Sequence, residues 1–278
     1  MQRIGTAVAL VGLVALVLAV GALSSPQRHA GSTPTLRIQT EIGYAPYEFY
    51  GPDGKTVEGL DVDLWNALGK QIGVKFTVQD GTYAGIVPAL EAKRADLGWS
   101  AMALSSFVGV SQVKFLVYEQ RSFSGVVVQA NAPIKVATDL CGKSLGFTNG
   151  EAPPIAALQT ACQKAGKPAV QIKRFQKTPD ILLAVQSGQV TGRIVDSVNG
   201  NYFVKQAAGK LKFVANVLPV HWIPTGIAVP VGQTALLAKI KAGLQTLIQN
   251  GTYGRILARW GAAGTEVKKV SVVYRYAG

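Results

Sequence analysis

Apolar and polar residues alternate over residues 36–40 (Leu-Arg-Ile-Gln-Thr), and this period of two predicts a β-strand. Ala45-Pro46 is expected to stop the strand, because proline interrupts regular structure. An aromatic loop follows as far as Tyr50, and Gly51-Pro-Asp-Gly54 then reads as a turn. The first structural unit is therefore a strand whose end carries a loop rich in tyrosine.

A helix is predicted next, with Asp61 as its cap and Gly73 at its end. Its apolar face is formed by Leu64, Trp65, Leu68 and Ile72. Strands are predicted at residues 74–78 and 96–100, with a short helix between them. The order β-α-β-α-β predicts an α/β fold with a mostly parallel sheet and helices on its faces.

The N-terminal segment differs from the rest. Arg3 precedes an uncharged run over residues 4–23, and a segment rich in Ser, Pro, Thr and Gly follows. This pattern indicates a signal peptide, with small residues for cleavage after Ala22, or an uncleaved N-terminal anchor, since the run is near the length of a bilayer span. No cysteine near the end of the run could carry a lipid. The remaining chain is expected outside the cytoplasm, in the periplasm, cell envelope or medium.

The chain has 278 residues, of which 48% are hydrophobic, so it can bury a large core. Its formal net charge of +13 favours contact with anionic envelope surfaces. Because the basic residues are scattered and not interleaved with aromatic residues, we expect no nucleic-acid partner.

Cys141 and Cys162 are the two cysteines of the sequence. In an exported protein such a pair predicts a disulfide, the alternative being two buried thiols. A metal site would need more ligands than His29 and His221 supply, so neither a metal nor a cofactor is expected.

Four side chains just past the first strand suggest a binding site. Glu41 and Glu48 bring carboxylates, while Tyr44 and Tyr47 bring phenols, where an open α/β sheet exposes its ligand crevice. Such a set suits a small polar or cationic molecule. The alternative is that the tyrosines pack over the sheet edge and the glutamates face water.

Five segments occur in a characteristic order and spacing: GLDVDLWNALGKQIG, IVPALEAKRADL, AMALSS, TDLCGKSLGFTNG and VQSGQVTGRIVDS. Together they resemble the family 3 solute-binding proteins, the extracytoplasmic amino-acid receptors of ABC importers. The similarity runs from about Leu36 to Trp260.

The resemblance implies a type II periplasmic-binding-protein clamp with two lobes, each a mostly parallel sheet with helices on both faces. Lobe 1 would comprise residues 30–128 and 219–265, and lobe 2 residues 129–218. Residues 1–29 would be the export segment and linker, and residues 266–278 a basic tail.

The resemblance also implies a set of ligand-binding residues: Glu41, Tyr44, Tyr83, Ser100, Ala103, Glu151 and Asp196. Tyr44 and Tyr83 would sandwich the ligand, Glu41 would meet a side-chain cation, and Asp196 would take the ammonium group. Asp196 could equally cap the helix that follows it. Tyr47, Trp99 and Trp222 are secondary candidates.

The chain departs from the family where the ligand's α-carboxylate is bound. Val108 stands in the place of the usual arginine, whose guanidinium would hold that carboxylate by two hydrogen bonds. In lobe 2, Glu151 and Ala152 replace hydroxyl residues, and Pro153 and Pro154 lack amide donors. Whether Lys114 or Arg121 replaces the arginine stays open.

The expected function is a monomeric, non-catalytic receptor that binds an amine or amino-acid derivative and docks on an ABC permease. Two alternatives share the fold. One is a sensor or scaffold that does not transport, and the other is an enzyme resembling cyclohexadienyl dehydratase.

Overall fold

The computed structural model describes residues 33–152, 155–219 and 222–276. The export segment with His29, the two prolines at 153 and 154, and His221 lie outside the described residues.

Thirteen strands and seven α-helices follow one another along the described chain. The strands are β1 (Thr35–Thr40), β2 (Phe49–Tyr50), β3 (Val57–Glu58), β4 (Lys75–Asp80), β5 (Leu97–Ala103), β6 (Val113–Ser122), β7 (Gly125–Gln129), β8 (Ser144–Thr148), β9 (Gln171–Phe175), β10 (Gly192–Val195), β11 (Leu211–Val214), β12 (Trp222–Pro230) and β13 (Glu266–Val273). The helices are α1 (Leu60–Ile72), α2 (Ile86–Glu91), α3 (Ala156–Lys164), α4 (Thr178–Gln186), α5 (Ser197–Gln206), α6 (Thr234–Gln249) and α7 (Thr252–Arg259).

The strands form two main sheets and a small hairpin, β2–β3. One sheet has the order β13-β6-β12-β5-β1-β4, and the other has the order β11-β7-β10-β8-β9. In the first sheet β1 is parallel to β4 and β5, and in the second β8 is parallel to β9 and β10. The remaining main-sheet pairs are antiparallel. Each sheet is thus parallel on one side and antiparallel on the other.

Each sheet has its own helices. Helices α1, α2, α6 and α7 pack with the six-stranded sheet. Helices α4 and α5 pack on the five-stranded sheet, and α3 packs beside the segment that leads into β8. We call the first group lobe 1 and the second lobe 2. The chain passes from lobe 1 to lobe 2 between β6 and β7, and it returns between β11 and β12.

These crossings can be compared with the sequence-based division. Residues 125–128 pair within the sheet of lobe 2, whereas that division kept them in lobe 1. Residues 266–273 form β13 at the edge of lobe 1, whereas the division set them apart as a tail.

Helix α1 confirms the predicted periodicity. Leu64, Trp65 and Leu68 are buried in the core of lobe 1, and Gly73 ends the helix with φ of 65°, a left-handed conformation that glycine adopts readily. The expected cap was wrong, because the N-cap position is Gly59. Asp61 lies inside the first turn, and its carboxylate accepts hydrogen bonds from the Tyr118 hydroxyl and from a backbone N–H of β5. It therefore joins α1 to the sheet.

The predicted disulfide is confirmed. Cys141 and Cys162 are bonded, with their Cα atoms 5.5 Å apart. The bond joins the segment before β8 to the buried side of α3, within lobe 2.

Within residues 33–152, 155–219 and 222–276, no helix combines the length and apolar character needed to cross a membrane. The same ranges hold no group of three or more His, Cys, Asp or Glu side chains arranged to bind a metal.

Candidate functional site

The two lobes face each other across a cavity of about 30 Å³. It lies where β1 and β5 of lobe 1 and β8 and β10 of lobe 2 end, the usual place for a ligand in open α/β sheets. Typical ligand pockets have volumes of roughly 300 Å³ or more. The described conformation is therefore closed, and the lobes must separate before a small molecule can enter.

Six of the seven predicted binding residues line this cavity: Glu41, Tyr44, Tyr83, Ser100, Ala103 and Glu151. Asp196 lies next to the cavity, and its carboxylate is engaged by other groups. One oxygen accepts from the N–H of Asn199, capping α5, and the other lies 3.3 Å from Nη1 of Arg121. The cap considered for Asp196 from its sequence position is therefore present.

Glu41 connects the two lobes through its side chain. Oε2 accepts from the N–H of Tyr83 at 3.0 Å, and Oε1 accepts from the N–H of Thr178, at the start of α4, at 3.1 Å. Burial raises the pKa of Glu41, while the hydrogen bonds from Thr178 and Tyr83 oppose the shift. The carboxylate thus meets neutral donors from both lobes.

Ser100 and Glu48 support Glu41 from behind. The backbone N–H of Glu41 donates to the Ser100 hydroxyl, which in turn donates to the Glu48 carboxyl group. Burial, reinforced by the nearby Asp61, raises the pKa of Glu48 well above its ordinary value. This chain fixes the start of the aromatic loop against β5.

Arg121 projects from the end of β6 and is 1% exposed. Its guanidinium donates to the Thr225 hydroxyl, to the backbone carbonyl of Ala101, to Asp196 and to the Tyr44 hydroxyl. Arg121 therefore lines the cavity with its polar contacts largely made by the protein itself.

Arg193 is a second buried guanidinium on the cavity wall, contributed by β10. Its Nη2 lies 3.2 Å from both carboxylate oxygens of Glu151. Glu151 also accepts hydrogen bonds from the backbone N–H and the hydroxyl of Thr148, both at 3.0 Å. Glu151 lies in the turn after β8, ahead of the first residue of α3.

The position of the missing arginine is not on the wall of the cavity. Val108 follows a 3₁₀ turn (Leu104–Phe107) and is 54% exposed, and it is not part of the cavity wall. Lys114 lies at the opposite end of β6 from Arg121, with its ammonium group 4.8 Å from the ring centre of Tyr274. Of the two replacements left open by the sequence, only Arg121 reaches the cavity.

The three secondary candidates lie off the cavity wall. Tyr47 is buried, and its hydroxyl donates to Glu119 at 2.9 Å. Trp99 is buried in the core of lobe 1 against Trp65. Trp222, at the start of β12, is 53% exposed.

Sequence reasoning did not single out Arg193 or Thr178 as site residues. Arg193 carried a signal, because it is a charged residue inside the otherwise apolar strand Gly192–Val195. Thr178 gave no signal in the sequence, since its hydrogen bond to Glu41 depends on how α4 packs against the other lobe.

The comparisons with known proteins agree with this geometry. Residues 36–263 match the family described as Bacterial extracellular solute-binding proteins, family 3. The chain belongs to this family. The two-lobed type II periplasmic-binding-protein fold expected from the sequence is confirmed by the solved structures that it resembles.

Among the relatives of this family 3 protein, the L-arginine-binding protein of Pseudomonas aeruginosa is 29% identical over 245 residues, which cover 86% of this chain and 92% of the relative. An ancestral arginine-binding protein bound to arginine superposes with a TM-score of 0.67 at 29% identity, covering 81% and 97% of the two chains. An ancestral amino-acid-binding protein described as a precursor of cyclohexadienyl dehydratase superposes with a TM-score of 0.65 at 26% identity, covering 81% and 95%.

Proposed function

We propose that this protein is the extracytoplasmic receptor of an ABC importer and that its lobes close on a small amine-bearing or amino-acid-like ligand. The observation that carries this proposal is the pairing of charges around the cavity. Arg121 is paired with Asp196 and Arg193 with Glu151, and among the ion pairs of the described residues Glu41 has no partner. A cationic group of a ligand would be the counter-ion of Glu41.

Two aromatic side chains support a cationic ligand. Tyr44 and Tyr83 both line the cavity, and aromatic faces attract ammonium and guanidinium groups. Tyr44 already has two such neighbours, since the guanidinium carbons of Arg121 and Arg193 lie 5.7 and 5.9 Å from its ring centre. The arginine-binding relatives are consistent with a ligand that carries a positive charge.

The ligand's carboxylate, if it has one, is expected to contribute little. The arginine at position 108 is replaced by an exposed valine, and Arg121 is engaged by Thr225, Ala101 and Asp196. Losing a buried charge pair typically costs about 2–5 kcal/mol. Standard amino acids should therefore bind less tightly than amines of similar shape.

Closure would move the lobes about the two connections between them, residues 123–124 and, of the described residues, 215–219. We place the hinges there because these residues join strands of different sheets. The closed form would dock as a monomer on the membrane permease, without nucleic acid, metal or cofactor. Export would depend on residues 1–29, as a cleaved signal or an anchor.

Binding without catalysis is part of this proposal. The three acids at or beside the cavity are held by the protein, Glu151 by Arg193, Asp196 by Arg121 and the helix cap, and Glu41 by two backbone N–H groups. An acid that is paired in this way is poorly placed to transfer a proton to a substrate. Conversion of a prephenate-like compound by the purified protein would contradict this part of the proposal.

A thermal-shift screen tests the proposed ligand class. Polyamines, quaternary amines and amino-acid derivatives are compared with standard amino acids, and a ligand at 100 times its Kd should raise the free energy of unfolding by about 2.7 kcal/mol, a shift of a few degrees in Tm. We expect the stabilising compounds to be cations.

The substitution Glu41→Gln then locates the cation. It removes the charge and keeps an acceptor for one of the two N–H donors, that of Tyr83 or that of Thr178, so we expect affinity for the stabilising amine to fall at least about tenfold. Glu91→Gln, at the exposed end of α2, is the matched control and should bind like the unaltered protein. Unchanged affinity in Glu41→Gln, or stabilisation by anions alone, would refute the assignment of Glu41 as the partner of a cationic ligand. If no compound stabilises the protein, the sensor or scaffold would be favoured.

A further inference from the structure

Three donors of lobe 2 converge on one carboxylate at the cavity wall. The backbone N–H and hydroxyl of Thr148 each lie 3.0 Å from Oε2 of Glu151, and Nη2 of Arg193 lies 3.2 Å from both oxygens. A guanidinium, a hydroxyl and an amide that point to one place make an anion-binding site. In this protein the anion is supplied by its own chain.

Arg193 is not fully satisfied by that anion. Its Nε and Nη1 atoms are buried and have no hydrogen-bond partner among the described residues. The side chain is 2% exposed, whereas that of Glu151 is 15% exposed. Because a buried guanidinium strongly requires a counter-ion, Arg193 would attract any carboxylate that reached it if Glu151 were absent.

Other charges do not substitute for Glu151 here. Arg121 is used by Asp196 and by neutral acceptors on lobe 1. Glu41 accepts from Thr178 and Tyr83, although its charge also contributes to the field at Arg193. Glu151 is therefore the carboxylate in direct contact with Arg193.

We propose that Glu151 is a built-in occupant of an anion site formed by Arg193 and Thr148, and that by filling this site it selects against ligands that carry a carboxylate. The proposal rests on the proposed function, because it specifies which amine-bearing compounds the cavity accepts. It makes Glu151 a specificity-determining residue that repels the anionic end of a ligand and holds Arg193 neutralised.

The first experiment asks whether the site binds anions once Glu151 is removed. In Glu151→Ala, we expect acetate to raise Tm by several degrees more than chloride at equal ionic strength, because acetate refills the place between Arg193 and Thr148. The unaltered protein should show no such difference.

Two controls separate this effect from general salt stabilisation. Asp96→Ala removes the carboxylate that faces the exposed Arg37, and it should show no specific response to acetate. The double variant Glu151→Ala with Arg193→Leu should also lose the response. Equal responses to acetate and chloride in Glu151→Ala would overturn the anion site.

The second experiment uses pairs of ligands that differ by one carboxylate, namely cadaverine with lysine and agmatine with arginine. The unaltered protein should bind the amine of each pair more tightly than the amino acid. Glu151→Ala should shift this preference towards the amino acid by about tenfold or more. If Glu151→Ala does not fold, Glu151→Gln, which keeps the size and removes the charge, should shift the preference in the same direction.

The outcomes separate this inference from the proposed function. If neither member of any pair binds, the proposed ligand class fails while the acetate experiment still decides the anion site. If the amines bind but the unaltered protein binds the amino acid of each pair as tightly as the amine, the role of Glu151 in specificity is wrong. The same conclusion follows if the Glu151 variants leave the preference between amine and amino acid unchanged.

Discussion

Several side-chain carboxyl groups of this protein are buried, and Glu119 on β6 is the clearest example. Its Oε1 accepts from the hydroxyls of Tyr47 and Thr265, and Oε2 lies 3.9 Å from Nε of Arg121. Burial raises the pKa of Glu119 to about 8, although Arg121 opposes the shift. The folded protein therefore keeps a proton there that the unfolded chain releases near the ordinary pKa of 4.5.

The difference between the folded and unfolded pKa of Glu119 determines the direction in which the free energy of unfolding changes with pH. Between about pH 4.5 and pH 8 the folded state binds more protons at Glu119 than the unfolded state, so the stability that this group contributes is present at low pH and is lost as pH rises. Glu119→Gln removes the ionisable group and keeps a hydrogen-bond acceptor. The decrease in the free energy of unfolding between these pH values should therefore be smaller in this variant, by up to about 5 kcal/mol.

Denaturant unfolding across that pH range measures the effect. Glu91→Gln, an exposed glutamate of the same lobe, is the control and should follow the unaltered protein. An identical pH slope in Glu119→Gln and in the unaltered protein would show that Glu119 is ionised when folded.

Single residues also show what sequence reasoning could and could not reach. Glu41 and Tyr44 could be placed at the cavity because they follow a predicted strand whose end lies at the ligand edge of the sheet, and Tyr83 was placed there by the family resemblance. Arg193 was missed because the face to which a strand residue points depends on the register of β10 against β7 and β8. Asp196 was found, but its pairing with Arg121 joins residues 75 positions apart and leaves no local signal.

At the scale of elements, helix α1 and the parallel strands of lobe 1 followed from local sequence patterns, whereas the antiparallel half of that sheet did not. Strand β13 pairs with β6 across a long stretch of sequence, and its residues read locally as a basic tail. Likewise Asp61 looked like a helix cap because Asp is common at the N-cap position, yet its carboxylate accepts hydrogen bonds from residues of β5 and β6. Long-range pairing, which no local pattern encodes, decided both cases.

The disulfide is the element with the simplest energetic consequence. Cys141 and Cys162 are 21 positions apart, and closing a loop of that length should stabilise lobe 2 by about 3 kcal/mol through the entropy of the unfolded chain. Replacing both cysteines with alanine should lower the free energy of unfolding by that amount. Ligand affinity should stay within about twofold, because neither cysteine lines the cavity.

Denaturant unfolding and calorimetric titration together check this prediction. The unaltered protein treated with a reducing agent is a second route to the same state. Loss of ligand binding in a double variant that remains folded would contradict the assignment of a purely stabilising role.

For the molecule as a whole, the described contacts between the lobes are of two kinds, aromatic and polar, and the aromatic ones join Tyr44 to Phe203 and Phe49 to Tyr202. Beyond those of Glu41 and Arg121, the Ala152 N–H donates to Ser106, Lys177 pairs with Asp80 at 2.7 Å, and Asn199 donates to the backbone carbonyl of Ala45. Polar contacts of this kind exchange readily with water when the lobes separate, whereas the aromatic contacts favour closure, and a ligand that contacts both lobes would shift the balance further to the closed form.

Small-angle X-ray scattering of the protein with and without a saturating concentration of the amine that stabilises it most tests the central claim directly. We expect the amine to reduce the radius of gyration towards the roughly 18 Å of a compact chain of about 250 residues, because Glu41 and the tyrosines engage it together with lobe 2. A radius of gyration that does not change, under conditions where calorimetry shows the site to be filled, would contradict a receptor that closes on its ligand.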